Sequence, residues 1–229
     1  MKKTIALIPL LFTALFLFAS LSRMLLGDGL VRLLALGLFA ITDSLIYYSA
    51  DAKQYSIDVA SVLLVWICAC RFLRAPGGRT ALWYGLSGAL TLWLSHAALF
   101  VLAGTGCALA LHFLWKKERA AFALASASGA LWVLSLLALY VSALRFQVGN
   151  GVLDTYWNQY FAPLPPTSFA DLRWYVSAFF GLFTSPFGEG LKLYGLTAFT
   201  MLVGFAALAR KRGMDVLLLT APVFFTLLA

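Results

Sequence analysis

The densest chemistry in this 229-residue chain lies in one short stretch, Tyr47-Tyr48-Ser49-Ala50-Asp51-Ala52-Lys53-Gln54-Tyr55-Ser56-Ile57-Asp58. If a helix begins near Ala50, Asp51, Tyr55 and Asp58 fall at i, i+4 and i+7 on one stripe. Asp58 would then sit about one turn inside an apolar run, where an ionisable group is expensive and faces a bundle interior or a wet cavity. Two carboxylates and the Lys53 ammonium suit a cavity for a charged substrate. A surface Asp–Lys pair among interfacial tyrosines accounts for the same residues. His96, in the pair Ser95-His96, is either a capping or packing residue or a hydrogen-bond donor to substrate. Further along, Asp154, Tyr156, Trp157, Tyr160, Asp171, Trp174 and Glu189 mix acids with aromatic platforms. Such a mix suits sugars, whose apolar faces stack on rings while their hydroxyls bond carboxylates; an aromatic belt with solvated acids is the alternative.

Other chemistries find no support. His96 and His112 lie at opposite ends of one run, and Cys68, Cys70 and Cys107 are all inside apolar stretches, so no zinc constellation or disulfide framework is expected. A carboxylate-bound divalent cation is the remaining metal chemistry, and no resident metal or cofactor is assigned. There is no Walker loop, dinucleotide fingerprint or G-x-S-x-G.

The elements that must hold these residues are membrane spans. The chain is 62% hydrophobic and 11% charged, with a mean hydropathy of +0.91, where a soluble domain has about 45–50% and about 25%. A helical span needs about 20 mostly apolar residues. Eight runs reach or approach that length, at 4–22, 29–47, 55–73, 80–94, 96–115, 120–142, 191–209 and 214–229. The fourth and fifth are one run split at Ser95-His96. Stretches such as Leu131–Val141 lack the alternation of a β-barrel strand. The expectation is an all-α, polytopic helix bundle of about eight spans in one domain, 1–229, with one long outer loop at 144–190.

The formal charge is +8, with 17 basic and 9 acidic residues. No basic run is long enough to suggest nucleic acid. Three connections carry most of it: Arg71, Arg74 and Arg79 around Pro76-Gly77-Gly78; Lys116, Lys117 and Arg119; and Arg210, Lys211 and Arg212. Alternating spans put all three on one side, which the positive-inside rule makes cytoplasmic. That side then holds 11 basic and 3 acidic residues, and the outer side 6 of each. Asp51, Lys53, Asp58 and His96 all fall on the neutral outer side.

Alternation also places Lys2 and Lys3 outside, against the usual preference. Met1–Ser20 has the basic start and apolar region of a signal peptide. Its apolar region is long, its cleavage signal poor, and Arg23 follows closely, so it reads as a retained span. Together with the apolar end at Val223–Ala229, this reads as a fragment of a longer protein. The loop at 144–190 contains Pro163, Pro165, Pro166 and Pro186 with many aromatics, and part of it is expected to lie on the membrane surface.

Several blocks resemble one family. Leu36-Gly37-Leu38-Phe39-Ala40, Leu45-Ile46-Tyr47-Tyr48-Ser49 and Lys53-Gln54-Tyr55-Ser56-Ile57-Asp58 resemble the third-helix exit of bacterial GT-C glycosyltransferases, relatives of the dolichyl-phosphate-mannose–protein mannosyltransferases. Ser95-His96-Ala97-Ala98-Leu99-Phe100-Val101-Leu102-Ala103-Gly104 is similar to a second block, with Ala97 where a proline is common. Tyr156-Trp157, Phe161-Ala162-Pro163 and Pro186-Phe187-Gly188 are similar to the large outer loop.

The resemblance implies hexosyl or pentosyl transfer from a polyprenyl-phosphate carrier to an outer-face acceptor, in a bacterial cytoplasmic (inner) membrane. It implies Lys53 as the cation for the leaving phosphate, with Tyr48, Tyr55, His96 and Trp157 binding substrate. Family members carry their principal catalytic carboxylate in the first outer loop. This chain resembles a member from the second helix onward, so the usual base is absent and Asp51 and Asp58 are read as supporting residues. The rival classes are a transporter of lipid-linked or charged substrates and a non-catalytic membrane subunit. The first is disfavoured because polar residues gather at outer helix ends and no repeat is visible.

Overall fold

Apolar runs punctuated by glycine, proline and paired basic residues become helices in the computed structural model of the chain. It describes residues 2–50, 55–146, 162–181, 183 and 194–227, with backbone alone at 2–11, 44, 48–50 and 194. Among the described residues there are nine α-helices and no strand. They are α1 (Lys2–Leu26), α2 (Leu30–Ala40), α3 (Asp43–Ala50), α4 (Tyr55–Arg74), α5 (Gly78–Leu94), α6 (Ala97–Trp115), α7 (Arg119–Ser142), α8 (Phe169–Gly181) and α9 (Tyr194–Leu227). Three of them, α4, α6 and α7, are long and apolar enough to cross a membrane.

Local chemistry sets the ends. Gly27 closes α1 at φ +76°, a conformation that costs a side chain but not glycine, and its N–H reaches the Arg23 carbonyl at 3.0 Å. Before α5, the Thr80 hydroxyl accepts from the Gly77 N–H at 3.2 Å. After α6, Lys117 takes φ +58°; its N–H bonds the Leu114 carbonyl at 3.1 Å and the Glu118 N–H bonds the Phe113 carbonyl at 2.9 Å. That is the Schellman pattern, which consumes carbonyls the helix leaves without partners.

The helix directions alternate. Phe72 near the end of α4 meets Phe113 near the end of α6, ring centres 5.4 Å apart, so these two run in parallel. Ser128, Trp132 and Ser135 of α7 donate to the carbonyls of Ala81, Gly85 and Ala89 of α5 at 3.1, 3.1 and 2.9 Å. Both sets advance together, so α5 and α7 are also parallel to each other. Tyr84 of α5 donates to the Thr105 hydroxyl of α6 at 2.7 Å, and Thr105 donates onward to the Val101 carbonyl.

The interior is not more apolar than the exterior. Phe72, Tyr84, Phe113 and Trp132 are buried, yet so are Ser56, Ser61, Ser87, Thr91, Ser95, Thr105, Ser128 and Asp215. The exposed face of α5 carries Leu82, Trp83, Leu86, Leu90 and Trp93, and that of α7 carries Val133, Leu134, Leu137 and Val141. Apolar surface on this scale belongs against another apolar phase. Interior glycine, serine and threonine then let helices approach and bond one another. These features describe a multi-pass membrane protein.

Three details differ from the sequence reading. The run at 29–47 is two helices, α2 of 11 and α3 of 8 residues, broken at Ile41 and Thr42. The last two runs form one element with a non-helical residue, Arg212 (φ −148°, ψ 59°), between them. The 144–190 loop is not wholly irregular, since it contains α8 and a short 3₁₀ turn at Leu144–Phe146. Helix α8 starts with a capping box: the Ser168 hydroxyl accepts from the Asp171 N–H, and the Asp171 carboxylate accepts from the Thr167 and Ser168 N–H groups at 2.8 Å each.

The close approach of α6 and α9 organises the rest. Pro222 has no N–H for the Leu218 carbonyl four residues earlier, and the Trp66 indole N–H of α4 takes that carbonyl at 3.0 Å. Gly104 of α6 lies directly under Pro222, so that a Cβ there would stand 2.4 Å from the proline nitrogen.

Candidate functional site

The bundle has two chemically different ends. At one, Arg74 of α4 bonds Asp215 of α9 at 3.1 Å, and Arg212 stands 3.8 Å from the same carboxylate while donating to the Met24 carbonyl of α1 at 2.6 Å. Asp28, in the α1–α2 turn, pairs with Arg23 at 3.3 Å and Arg32 at 2.5 Å. With Phe72 against Phe113, all three basic connections lie at this end. The three connections that the sequence reading put on one side therefore share one end of the bundle.

The other end carries the start of α4 and the α5–α6 turn. Of the expected stripe Asp51–Tyr55–Asp58, Tyr55 and Asp58 lie in the first turn of α4, and Asp51 lies outside the described residues. Tyr55 and Asp58, three residues apart, do share a face. One oxygen of Asp58, Oδ1, is fully covered and has no hydrogen-bond partner. Among the described residues only one other buried side-chain polar atom, Arg32 Nε, is in that state. An unpaired buried carboxylate oxygen is costly, and this one stands in the first turn of α4. Tyr55 is on the exposed rim of the same turn.

His96 is not the cap of α6. Ser95, itself buried, accepts from the Ala98 N–H at 3.2 Å, and the imidazole makes no capping bond and is exposed. That removes the capping explanation for His96 and leaves the packing one; the residue lies at the same end of the bundle as Asp58. No hydrogen bond joins His96 to Asp58 among the described residues. Tyr48 belongs to α3, of whose backbone alone the position is known, and Asp51, Lys53 and Trp157 lie outside the described residues.

In the 144–190 segment, two of the residues read as a sugar platform have other partners. Asp171 is the capping carboxylate of α8, and these hydrogen bonds hold its acid below the usual carboxylate range. Trp174 packs edge-on against Tyr175, ring centres 5.3 Å apart, and Tyr175 donates to the Pro163 carbonyl at 2.9 Å. Asp154, Tyr156, Tyr160 and Glu189 lie outside the described residues. The pairing of Asp215 with Arg74 was not anticipated, although an acid three residues after Arg212 at the start of an apolar run was a visible signal.

Comparison with protein-family models, with curated proteins and with solved structures gives no match for this chain. No family is identified by these means. The established description is an all-α protein with three helices fit to span a membrane.

Proposed function

We propose that this chain is a GT-C-like membrane glycosyltransferase that moves a sugar from a polyprenyl-phosphate carrier to an outer-face acceptor. The observation that carries the reading is Asp58: a covered, unpartnered carboxylate oxygen in the first turn of α4, at the end opposite the arginine cluster. A buried polar atom without a partner calls for a physical explanation, and a ligand hydroxyl supplies one here.

In this reading the chain crosses the bacterial cytoplasmic membrane about eight times, with the basic end inside. The bond from the sugar anomeric carbon to the carrier phosphate breaks while one to the acceptor oxygen forms. Lys53 stabilises the negative charge gathering on the departing phosphate. Asp51 and Asp58 stabilise the oxocarbenium-like sugar, while Tyr48, Tyr55, His96 and Trp157 surround the donor sugar. The acceptor hydroxyl gives its proton to a carboxylate base that is not among the residues assigned here. No cofactor enters the reaction.

The test is sugar transfer in proteoliposomes supplied with a polyprenyl-phosphate sugar. Transfer is expected with the full-length protein and is expected to disappear in its Lys53→Ala and Asp58→Asn variants. Unchanged turnover in both variants would overturn the site assignment.

A further inference from the structure

Two apolar grooves open on the outside of the bundle. One, of about 380 Å³, runs between α6 and α7 and is lined by apolar and small residues such as Ala103, Gly106 and Gly129. The other, of about 420 Å³, runs between α4 and α5, and it differs in having a charged end. Its walls include Leu64 and Cys68 on α4 and Trp83, Leu86 and Leu90 on α5, and it finishes at Arg71 and Thr80.

Ten residues of α5 separate Thr80 from Leu90, so the groove is about 15 Å long. Arg71 is exposed and forms no ion pair among the described residues. Arg79, in the first turn of α5 and one residue before Thr80, is also exposed. No acid lines the groove. Trp83 is 60% exposed one turn from that end, and tryptophan favours the headgroup level of a bilayer.

We propose that the α4–α5 groove binds an anionic phospholipid, its phosphate on Arg71 and Arg79 and one acyl chain along the Leu64–Leu90 wall. The guanidinium matches a phosphate in charge and fork geometry, and the apolar wall excludes water from the chain. Basic pockets between spans at this membrane face take anionic headgroups for the same reasons. The α6–α7 groove, whose lining has no charged residue, gives a lipid no such anchor. The proposal stands whether or not the chain transfers sugar.

Native mass spectrometry of the detergent-purified protein tests it, with phosphatidylglycerol and phosphatidylcholine of matched chains added at equal concentration. Phosphatidylglycerol adducts are expected to exceed phosphatidylcholine adducts about tenfold, and Arg71→Gln with Arg79→Gln is expected to erase that preference. Lys116→Gln with Lys117→Gln, at the same end but away from the groove, is expected to keep it. Leu86→Trp, which narrows the groove at an exposed position, is expected to weaken both adducts, and millimolar glycerol phosphate to displace neither. Equal retention of the two lipids by the native protein would overturn the proposal. So would an equal loss in the lysine variant, full retention in Leu86→Trp, or displacement by glycerol phosphate.

Discussion

Replacing Gly104 by alanine tests the helix crossing on which the fold depends. The added Cβ would stand 2.4 Å from Pro222 N, 2.6 Å from Pro222 Cα and 2.7 Å from Ala221 C. All three are backbone atoms, so no side chain can swing aside. Carbon contacts settle at about 3.5–4.0 Å, and α6 and α9 must therefore part by about 1 Å. Overpacking of this kind costs about 1–3 kcal/mol, while alanine gains about 0.5–1 kcal/mol over glycine in a helix. Gly129→Ala in α7 isolates the second effect, because a Cβ there meets nothing within 4 Å. The two variants should thus differ by about 1–3 kcal/mol, or about 2–12 °C in melting temperature for a chain of this size. A thiol-reactive dye in detergent reads the melt: Cys107 is exposed and reacts at once, whereas Cys68 and Cys70 are buried and report unfolding. Equal melting temperatures for Gly104→Ala and Gly129→Ala would refute the close approach.

Trp66→Phe should cost about 1–3 kcal/mol in the same melt, because it strands the Leu218 carbonyl that Pro222 cannot serve; a shift within error would mean that the indole bond is dispensable. Arg74→Gln and Asp215→Asn should be coupled in a double-mutant cycle by about 1–3 kcal/mol, since Asp215 is only 5% exposed; additive effects would contradict the pair. The α8 cap should be pH-dependent. The folded acid of Asp171 is shifted downward, so its contribution is fully present above the unfolded value of about 4 and is lost as pH falls through the lower folded value. Amide exchange at Thr167 and Ser168, corrected for intrinsic rate, should be slow at neutral pH and speed up in strong acid; constant protection would rule the cap out.

What the sequence showed well was local. The helix ends at Gly27, Pro76-Gly77, Ser95 and Lys116-Lys117 follow from turn and capping chemistry within a few residues, and the charge asymmetry follows from counting between apolar runs. The break inside 29–47 was hidden by averaging, though Thr42-Asp43-Ser44 is a polar interruption of a helix signal. The start of α8 was written in Ser168-Phe169-Ala170-Asp171, a capping box in a stretch whose prolines suggested a loop. The Trp66–Leu218 and Arg74–Asp215 bonds join residues 152 and 141 positions apart, and no periodicity carries such a pairing. At the candidate site, the sequence marked Asp58 from its depth in an apolar run, and the fold leaves its Oδ1 covered and unpartnered. It could not say that Ser95, and not His96, caps α6.

The measurement that bears most directly on the proposed function is the turnover number of Asp58→Asn against that of Asp215→Asn, in the polyprenyl-phosphate sugar transfer assay. Both variants remove one negative charge from a covered position, at opposite ends of the bundle. A supporting carboxylate at a developing cation is expected to change turnover about a hundredfold. The account predicts that loss in Asp58→Asn, with Asp215→Asn losing stability but keeping the turnover of its folded fraction. Full turnover in Asp58→Asn, or an equal loss in both variants, would contradict it.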